Sequence, residues 1–324
     1  MSEMVKSALI PTTGDFATIA RHARLADELG YESINCSHIS ARDSFTTLAA
    51  LSTVAPRVRL GTAVAPIYHR SPASMAQTAA TLDDLSGGRF RLGLGSGHRV
   101  TMAAWHGQEI GDPLAEMREY VSVVRSLLAG HPAADGARWR SQFAFAGFTP
   151  RPGIPIYLAG LSRKMIRLAG EIADGIVLWA CPSSYVRDVV VPEIAEARRA
   201  AGKDLAGFDI VAAVPTAATE DVTRAHAGIR AELHRYFGLP FYRAMFATAG
   251  YTPDITAYDT ATGDEPRQLS AISDAFIDDL CAIGEEPAVT KALDRYRAAG
   301  ATNLMVTNIR GTDFEPALHA AARS

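Results

Sequence analysis

VRLGTAVAPIYHRSPASMAQTAATLDDLSGGRFRLGLGSGH, residues 58–98, holds two short β-type runs on either side of one helical stretch. Val58 to Val64 reads as a strand, Pro72 to Leu85 as a helix opened by its proline, and Phe90 to Gly95 as a second strand. Strand, helix and strand in that order build a parallel pair through a right-handed crossover. The same alternation runs outward in both directions. Upstream, Val5 to Ile10 reads as a strand and Asp15 to Leu29 as a helix whose Ile19, Ala23, Ala26 and Leu29 share a face before Gly30 stops it. Ser33 to Ser37 then reads as a strand and Phe45 to Val54 as a helix, so four βα units fall within about the first 130 residues.

Downstream, the helices Leu114 to Leu128, Ser162 to Ile172, Tyr185 to Ala201 and Glu286 to Ala299 alternate with the strands Ile156 to Leu158, Gly175 to Trp179, Phe208 to Pro215 and Asn303 to Thr307, and Glu315 to Ala322 closes the chain. This order predicts an α/β fold, one (β/α)8 TIM barrel over residues 1–324, with its active site at the C-terminal ends of the strands. Insertions are expected after strands 4 and 7. After His98 the run WHGQEIGDP reads as an active-site loop, and residues 130–152, with Trp139, Phe143, Phe145 and Phe148, as a short hairpin. Residues 219–282 are longer than one helix needs and read as an insertion within the barrel rather than a separate domain.

Composition narrows the partners. The chain has 324 residues, 48% of them hydrophobic and 21% charged, enough to bury a substantial core. With 32 Lys and Arg against 35 Asp and Glu, the net charge of −3 offers no broad attraction to nucleic acid or an anionic membrane, and a small-molecule substrate is expected instead. The three cysteines, Cys36, Cys181 and Cys281, form no Cys-x-x-Cys pair and no disulfide or zinc spacing, which suits reduced thiols and a cytoplasmic setting. No secretory h-region and no apolar run long enough for a membrane span is read.

Three strand ends carry polar or glycine-rich residues where a barrel places its catalytic face: CSH at 36–38, GTAVAP at 61–66 and GLGSGH at 93–98. Glycines there either let backbone approach a ring or serve an ordinary βα turn. His38 and His98 should project into one mouth and suit proton transfer near neutral pH, the plainer reading being two loop histidines. In YLAGLSRK, Gly160 and Ser162 stand at a strand-to-helix junction where free N–H groups favour a phosphate, with Arg163 and Lys164 adding charge, although an N-cap serine explains the same residues. Trp105 and Trp179 could wall a planar cofactor or simply pack. No metal is expected, for want of a third ligand at recognisable spacing.

Taken together, the segment 59–98, the helix EMREYVSVVRSLLAG, the run PIYLAGLSRKMIRLAGEIADG and the closing GEEPAVTKALDRYRAAGATNLMV resemble the bacterial luciferase-like flavin-dependent oxidoreductases. SGHR followed by WHG and an MREY helix is most similar to the branch that uses the deazaflavin coenzyme F420 and includes methylenetetrahydromethanopterin reductase. The resemblance implies hydride transfer between the deazaflavin C5 and a small organic substrate, with FMN as the alternative cofactor. It implies a bulge with a non-prolyl cis peptide at Thr62-Ala63 against the cofactor ring, His38 and His98 as catalytic residues, and a phosphate cradle of Ala159, Gly160, Leu161 and Ser162. Ser37, Gly97 and Trp179 complete the implied cofactor contacts. Ser37 stands where several relatives have Asp, and His98 where sugar-phosphate dehydrogenases have Glu, which argues against that substrate class. A homodimer, fed by a flavin or F420 reductase, is implied as well. Two competing functions are an FMN-dependent monooxygenase supplied with reduced flavin, and a flavin-binding protein without turnover.

Overall fold

The computed structural model describes residues 5–131 and 136–324. Among these described residues there are ten parallel strands: β1 (Val5–Leu9), β2 (Ser33–Cys36), β3 (Arg59–Thr62), β4 (Ala65–Pro66), β5 (Phe90–Gly95), β6 (Ile156–Ala159), β7 (Gly175–Leu178), β8 (Asp209–Ala218), β9 (Ala282–Gly284) and β10 (Asn303–Asn308). They pair in the order β10-β1-β2-β3-β5-β6-β7-β8, and β10 also pairs β8, which closes the sheet into an eight-stranded barrel. β4 continues β3 along β5, and β9 extends the far end of β8. Every pairing is parallel, so all the C-terminal ends open on one side.

Strands buried on both faces read as unbroken apolar runs rather than alternating ones, and β5 and β7 are buried at every position. Helices lean on the outside through the faces expected of them. In helix Phe16–Glu28, Ile19, Ala23 and Ala26 are buried, Asp15 caps the first turn by accepting from Thr18 N at 2.8 Å, and Gly30 reverses the chain at φ +77°. Inside the barrel the side chains follow the strand period of two, and odd-numbered positions face inward. Ser7, Ser33, Asn35, Arg91, Tyr157, Val177, Val211, Asn303 and Met305 all line one small internal cavity. Its lower half is polar: Ser7 Oγ donates to Asn303 Oδ1 at 2.7 Å and lies 2.7 Å from Ser33 Oγ. Its upper half is apolar, with Tyr157, Val177, Val211, Ala213 and Met305 packed beneath Ala63, Val64 and Trp179.

Two expectations change. The stretch after His98 is a helix, Arg99–His106, closed by Gly107 at φ +61°, and only the residues that follow form a loop. It was hidden because Met102 alone is buried, so no apolar stripe exists. Residues 136–152 contain no strand, hence no hairpin. They run as irregular chain pinned by side chains, with Trp139 Nε1 donating to Glu116 O and its ring 5.1 Å from Tyr120. The rest of the expected hairpin, 132–135, lies outside the described residues. Between β8 and β9 the chain forms five helices, Val222–Phe237, Pro240–Thr248, Thr252–Thr260, Glu265–Ser270 and Asp274–Leu280. The first presses close to the loop beyond β10, since a Cβ on Gly228 would stand 2.1 Å from Arg310 O. Among the described residues, no helix is long and apolar enough to cross a membrane.

Candidate active site

The mouth is shaped by a break in one ladder. Gly61 pairs with Arg91, but the next pair along is Ala65 with Leu94, so β3 and β4 carry one residue more than β5 over this stretch. The extra residue makes a bulge, and within it the cis peptide is Ala63-Val64, one residue beyond the expected Thr62-Ala63. The register decides this. Thr62 still belongs to β3, where its hydroxyl donates to Gly93 O at 2.8 Å and accepts from Gly93 N at 2.9 Å, so the chain departs from ladder geometry only after it. Gly93 and Gly95 leave room for this bulge, because a Cβ on Gly93 would sit 1.9 Å from Thr62 O and one on Gly95 2.7 Å from Val64 Cγ2. Ala63 and Val64, partly buried, therefore form the floor of the mouth.

Parallel strands bring the expected site residues to one rim. Ser37 and His38 follow β2, Thr62 and Ala63 end β3, Gly97 and His98 follow β5, Ala159 to Ser162 follow β6, and Trp179 follows β7, all on neighbouring strands. His38 is half-buried; its Nδ1 accepts from Ser44 N at 3.3 Å and lies 2.9 Å from Ser44 Oγ. Burial lowers its pKa, Asp43 works the other way, and Arg70 and His106 add to the lowering. His98 precedes its helix as an uncapped N-cap, faces Tyr242 at 6.0 Å between ring centres, and is lowered by burial and by Arg235. Tyr242 in turn stands 4.6 Å from Tyr236, and Tyr236 6.1 Å from Trp179. A wall of rings thus runs from His98 to Trp179.

At the junction after β6, Ser162 Oγ accepts from Met165 N at 3.3 Å and Tyr185 OH donates to Leu161 O at 2.9 Å. The basic side chains next to it turn away. Arg163 donates to Glu193 Oε1 at 2.5 Å, and Lys164 lines an outer groove with Arg118 and Glu171. An anion here would rest on backbone N–H groups rather than on cationic side chains. Trp105 is 52% exposed on the helix beside the mouth and does not wall it.

Sequence reasoning missed His69 and His106. His69 ends the short turn Ile67–His69 after β4, and its ring lies 5.2 Å from His38 and 3.9 Å from His106. The signal was a polar residue just beyond the third strand, in PIYHRSP, the same kind of position that singled out His38. It missed Tyr236 and Tyr242 for another reason. They come from the insertion, and no local pattern says which face of an inserted helix meets the barrel.

Burial lowers the pKa of His22, His38 and His98, and with help from His106, His38 and Arg70 pushes His69 down to about 4. Each folded-state value lies below the unfolded value of about 6.5. The unfolded chain therefore binds protons first as pH falls, and stability is lost from about pH 6.5 downward to about pH 4. Urea midpoints should fall between pH 7.5 and pH 5, and His69→Gln should lessen the fall. An equal fall in both proteins would remove His69 from this account.

The family profile of luciferase-like monooxygenases matches residues 4–303. The chain belongs to that family. A Mycobacterium tuberculosis protein with the provisional name of a coenzyme F420-dependent oxidoreductase is 30% identical over 312 residues, covering 88% of this chain and 90% of that one. The 5,10-methylenetetrahydromethanopterin reductase of Archaeoglobus fulgidus is 28% identical over 316 residues, 90% of each chain. Among solved structures, the F420-dependent tetrahydromethanopterin reductase of Methanopyrus kandleri superimposes with a TM-score of 0.84 at 23% identity, covering 99% of this chain and 98% of that one, a likeness of fold. The family resemblance seen in the sequence is thereby borne out.

Proposed function

We propose that this luciferase-like family member is an F420-dependent oxidoreductase that exchanges a hydride between the deazaflavin C5 and a small organic substrate. What supports the cofactor is the F420 dependence named for relatives that span most of both chains. What supports the place is a set of donors left without acceptors at the mouth. Trp179 Nε1 and Thr307 Oγ1 are buried with no hydrogen-bond partner among the described residues, and Tyr236 leans toward Trp179 without the geometry to accept from it. By the alternation that points Val177 and Met305 into the barrel, both belong to its top inward layer. Orphaned donors of this kind cost about 1–3 kcal/mol each unless a ligand meets them, and a ring bearing carbonyl groups would.

In this reading the bound deazaflavin supplies hydride chemistry at carbon rather than oxygen activation. Ala63 and Val64 would support the ring, and Tyr236 and Tyr242 from the insertion would bound the space beyond. His38 holds its proton on Nε2 when neutral, because Nδ1 accepts from the Ser44 N–H, so its free edge can give a proton at the mouth. Gly160, Leu161 and Ser162 offer the N–H groups of a helix start to a phosphate. The same proposal has the enzyme cytoplasmic, dimeric and served by a reductase that returns reduced cofactor.

The test is titration of the purified full chain with F420 and, separately, FMN, followed by cofactor fluorescence. F420 should bind at micromolar concentration or tighter, and FMN at least about tenfold more weakly, a difference of about 1.4 kcal/mol. Tight FMN binding with no F420 binding would overturn the assignment in favour of flavin chemistry.

A further inference from the structure

Three imidazoles from three different elements form a line at the mouth. His38 follows β2, His69 ends the turn after β4, and His106 ends the helix Arg99–His106. Ring centres are 5.2 Å apart from His38 to His69 and 3.9 Å from His69 to His106, close enough for nitrogens to meet directly or across one water. The line runs from inside to outside. His38 is mostly buried and its Nδ1 is taken up by Ser44, which leaves the Nε2–H edge free. In the middle, His69 Nε2 is buried with no partner among the described residues. At the outer end His106 is exposed.

The groups around this line are few. Asp43, the N-cap of helix Ser44–Val54, places Oδ2 3.8 Å from His38 Nδ1 and accepts from Arg70 Nη2 at 2.7 Å. Arg70 also lies over the Phe45 ring at 4.5 Å, and Phe45 stands 5.9 Å from His38. Asp43 is thus shared between His38 and Arg70, which weakens its hold on an imidazolium. Among the described residues no group of three His, Cys, Asp or Glu side chains is arranged to hold a metal ion. A file of mutually close imidazoles ending in solvent can carry protons between the mouth and water.

We propose that His38, His69 and His106 form one proton relay between the barrel mouth and bulk solvent. The proposal rests on the oxidoreductase reading, because a hydride delivered to a neutral acceptor carries its electron pair and leaves an anion that needs one proton. As the anion forms, a proton passes from a buffer acid through His106 and His69 to His38, so that His38 delivers its Nε2 proton without being left as an imidazolate. Each imidazole ends as it began, and the buffer acid becomes its conjugate base. Substrate oxidation runs the same path outward. His69, disfavoured as a cation by burial and by a ring on each side, passes a proton along rather than storing it.

Two measurements test the relay, and the first needs no cofactor. In the cofactor-free full chain, imidazole titrations followed by nitrogen NMR should show His69 titrating at higher pH in His106→Ala than in the native chain, because one repelling neighbour is gone. Independent titration of the two residues overturns the proposal. With cofactor and substrate, His106→Ala should turn over about tenfold more slowly in weak buffer and recover when imidazole is added, while His69→Phe should lose about 10²-fold without recovery. Native turnover in His106→Ala, or a loss that imidazole leaves unchanged, overturns it too. Failure of F420 to bind would instead strike the oxidoreductase reading, and the NMR titration would still decide whether the three rings act together.

Discussion

Replacing Gly93 by alanine is expected to cost about 3 kcal/mol of stability and to remove cofactor binding with it. The new methyl group would stand 1.9 Å from Thr62 O and 3.0 Å from Thr62 C, both backbone atoms that cannot rotate aside, and 3.1 Å from Val64 Cγ1. Relief requires β3 and β5 to separate. Separation breaks the two hydrogen bonds between Gly93 and the Thr62 hydroxyl, each worth about 1 kcal/mol. With an unfolding entropy of about 2 cal/mol/K per residue over 324 residues, the melting temperature should drop by roughly 4–5 °C. Gly153→Ala is the control, since a Cβ there meets nothing within 4 Å and the backbone is not left-handed. F420 affinity should fall in Gly93→Ala and hold in Gly153→Ala, because only the former displaces Ala63 and Val64. Equal melting of the two variants would mean that the bulge yields more easily than its contacts imply.

The barrel was legible because its signal is periodic and local. Ile19, Ala23 and Ala26 mark a helix face wherever the helix ends up, and unbroken apolar runs such as Phe90 to Leu94 mark strands buried on both sides. The rim was legible by extension, since parallel strands place all their C-terminal ends together whatever the register. Register itself was not. The position of the cis peptide depends on how 61 pairs with 91 and 65 with 94, a relation between segments about thirty residues apart that no window of sequence contains. Helix Arg99–His106 escaped because it lies on the rim and buries one side chain. The basic pair at 163 and 164 misled because Glu193, thirty residues on, draws Arg163 away. His38 was found from its strand, whereas the ring beside it, His69, stands just beyond the third strand, and its closeness to His38 shows only once β4 runs on along β5.

Arg91→Ala should cost about as much as the Gly93 change while leaving the mouth intact. Arg91 is the second residue of β5, at the end of the barrel opposite the mouth, and its side chain is only 6% exposed. Nη1 donates to Tyr157 OH at 3.1 Å and Asp209 Oδ2 at 3.3 Å, Nη2 donates to Glu32, and Tyr157 OH donates to Asp209. One guanidinium thus joins β5, β6, β8 and the residue before β2 across the barrel floor. Removing it leaves Asp209 and the Tyr157 phenol without their guanidinium, while Glu32 keeps only Arg59 at 3.4 Å. Breaking a fully buried pair this way costs 3–5 kcal/mol, and because Glu32 and Asp209 are 29% and 26% exposed the lower end, about 3 kcal/mol, is expected. Arg91→Lys should recover part of it, since an ammonium keeps the charge but cannot bridge both acids and the phenol at once. The bulge, Trp179 and Thr307 lie at the other end of the strands, so F420 affinity in folded Arg91→Ala should stay within about threefold of native, under 0.7 kcal/mol. Urea unfolding followed alongside cofactor titration separates the two ends. Lost affinity in a folded variant would mean that floor and mouth are mechanically joined, and unchanged stability would mean that the guanidinium closes nothing.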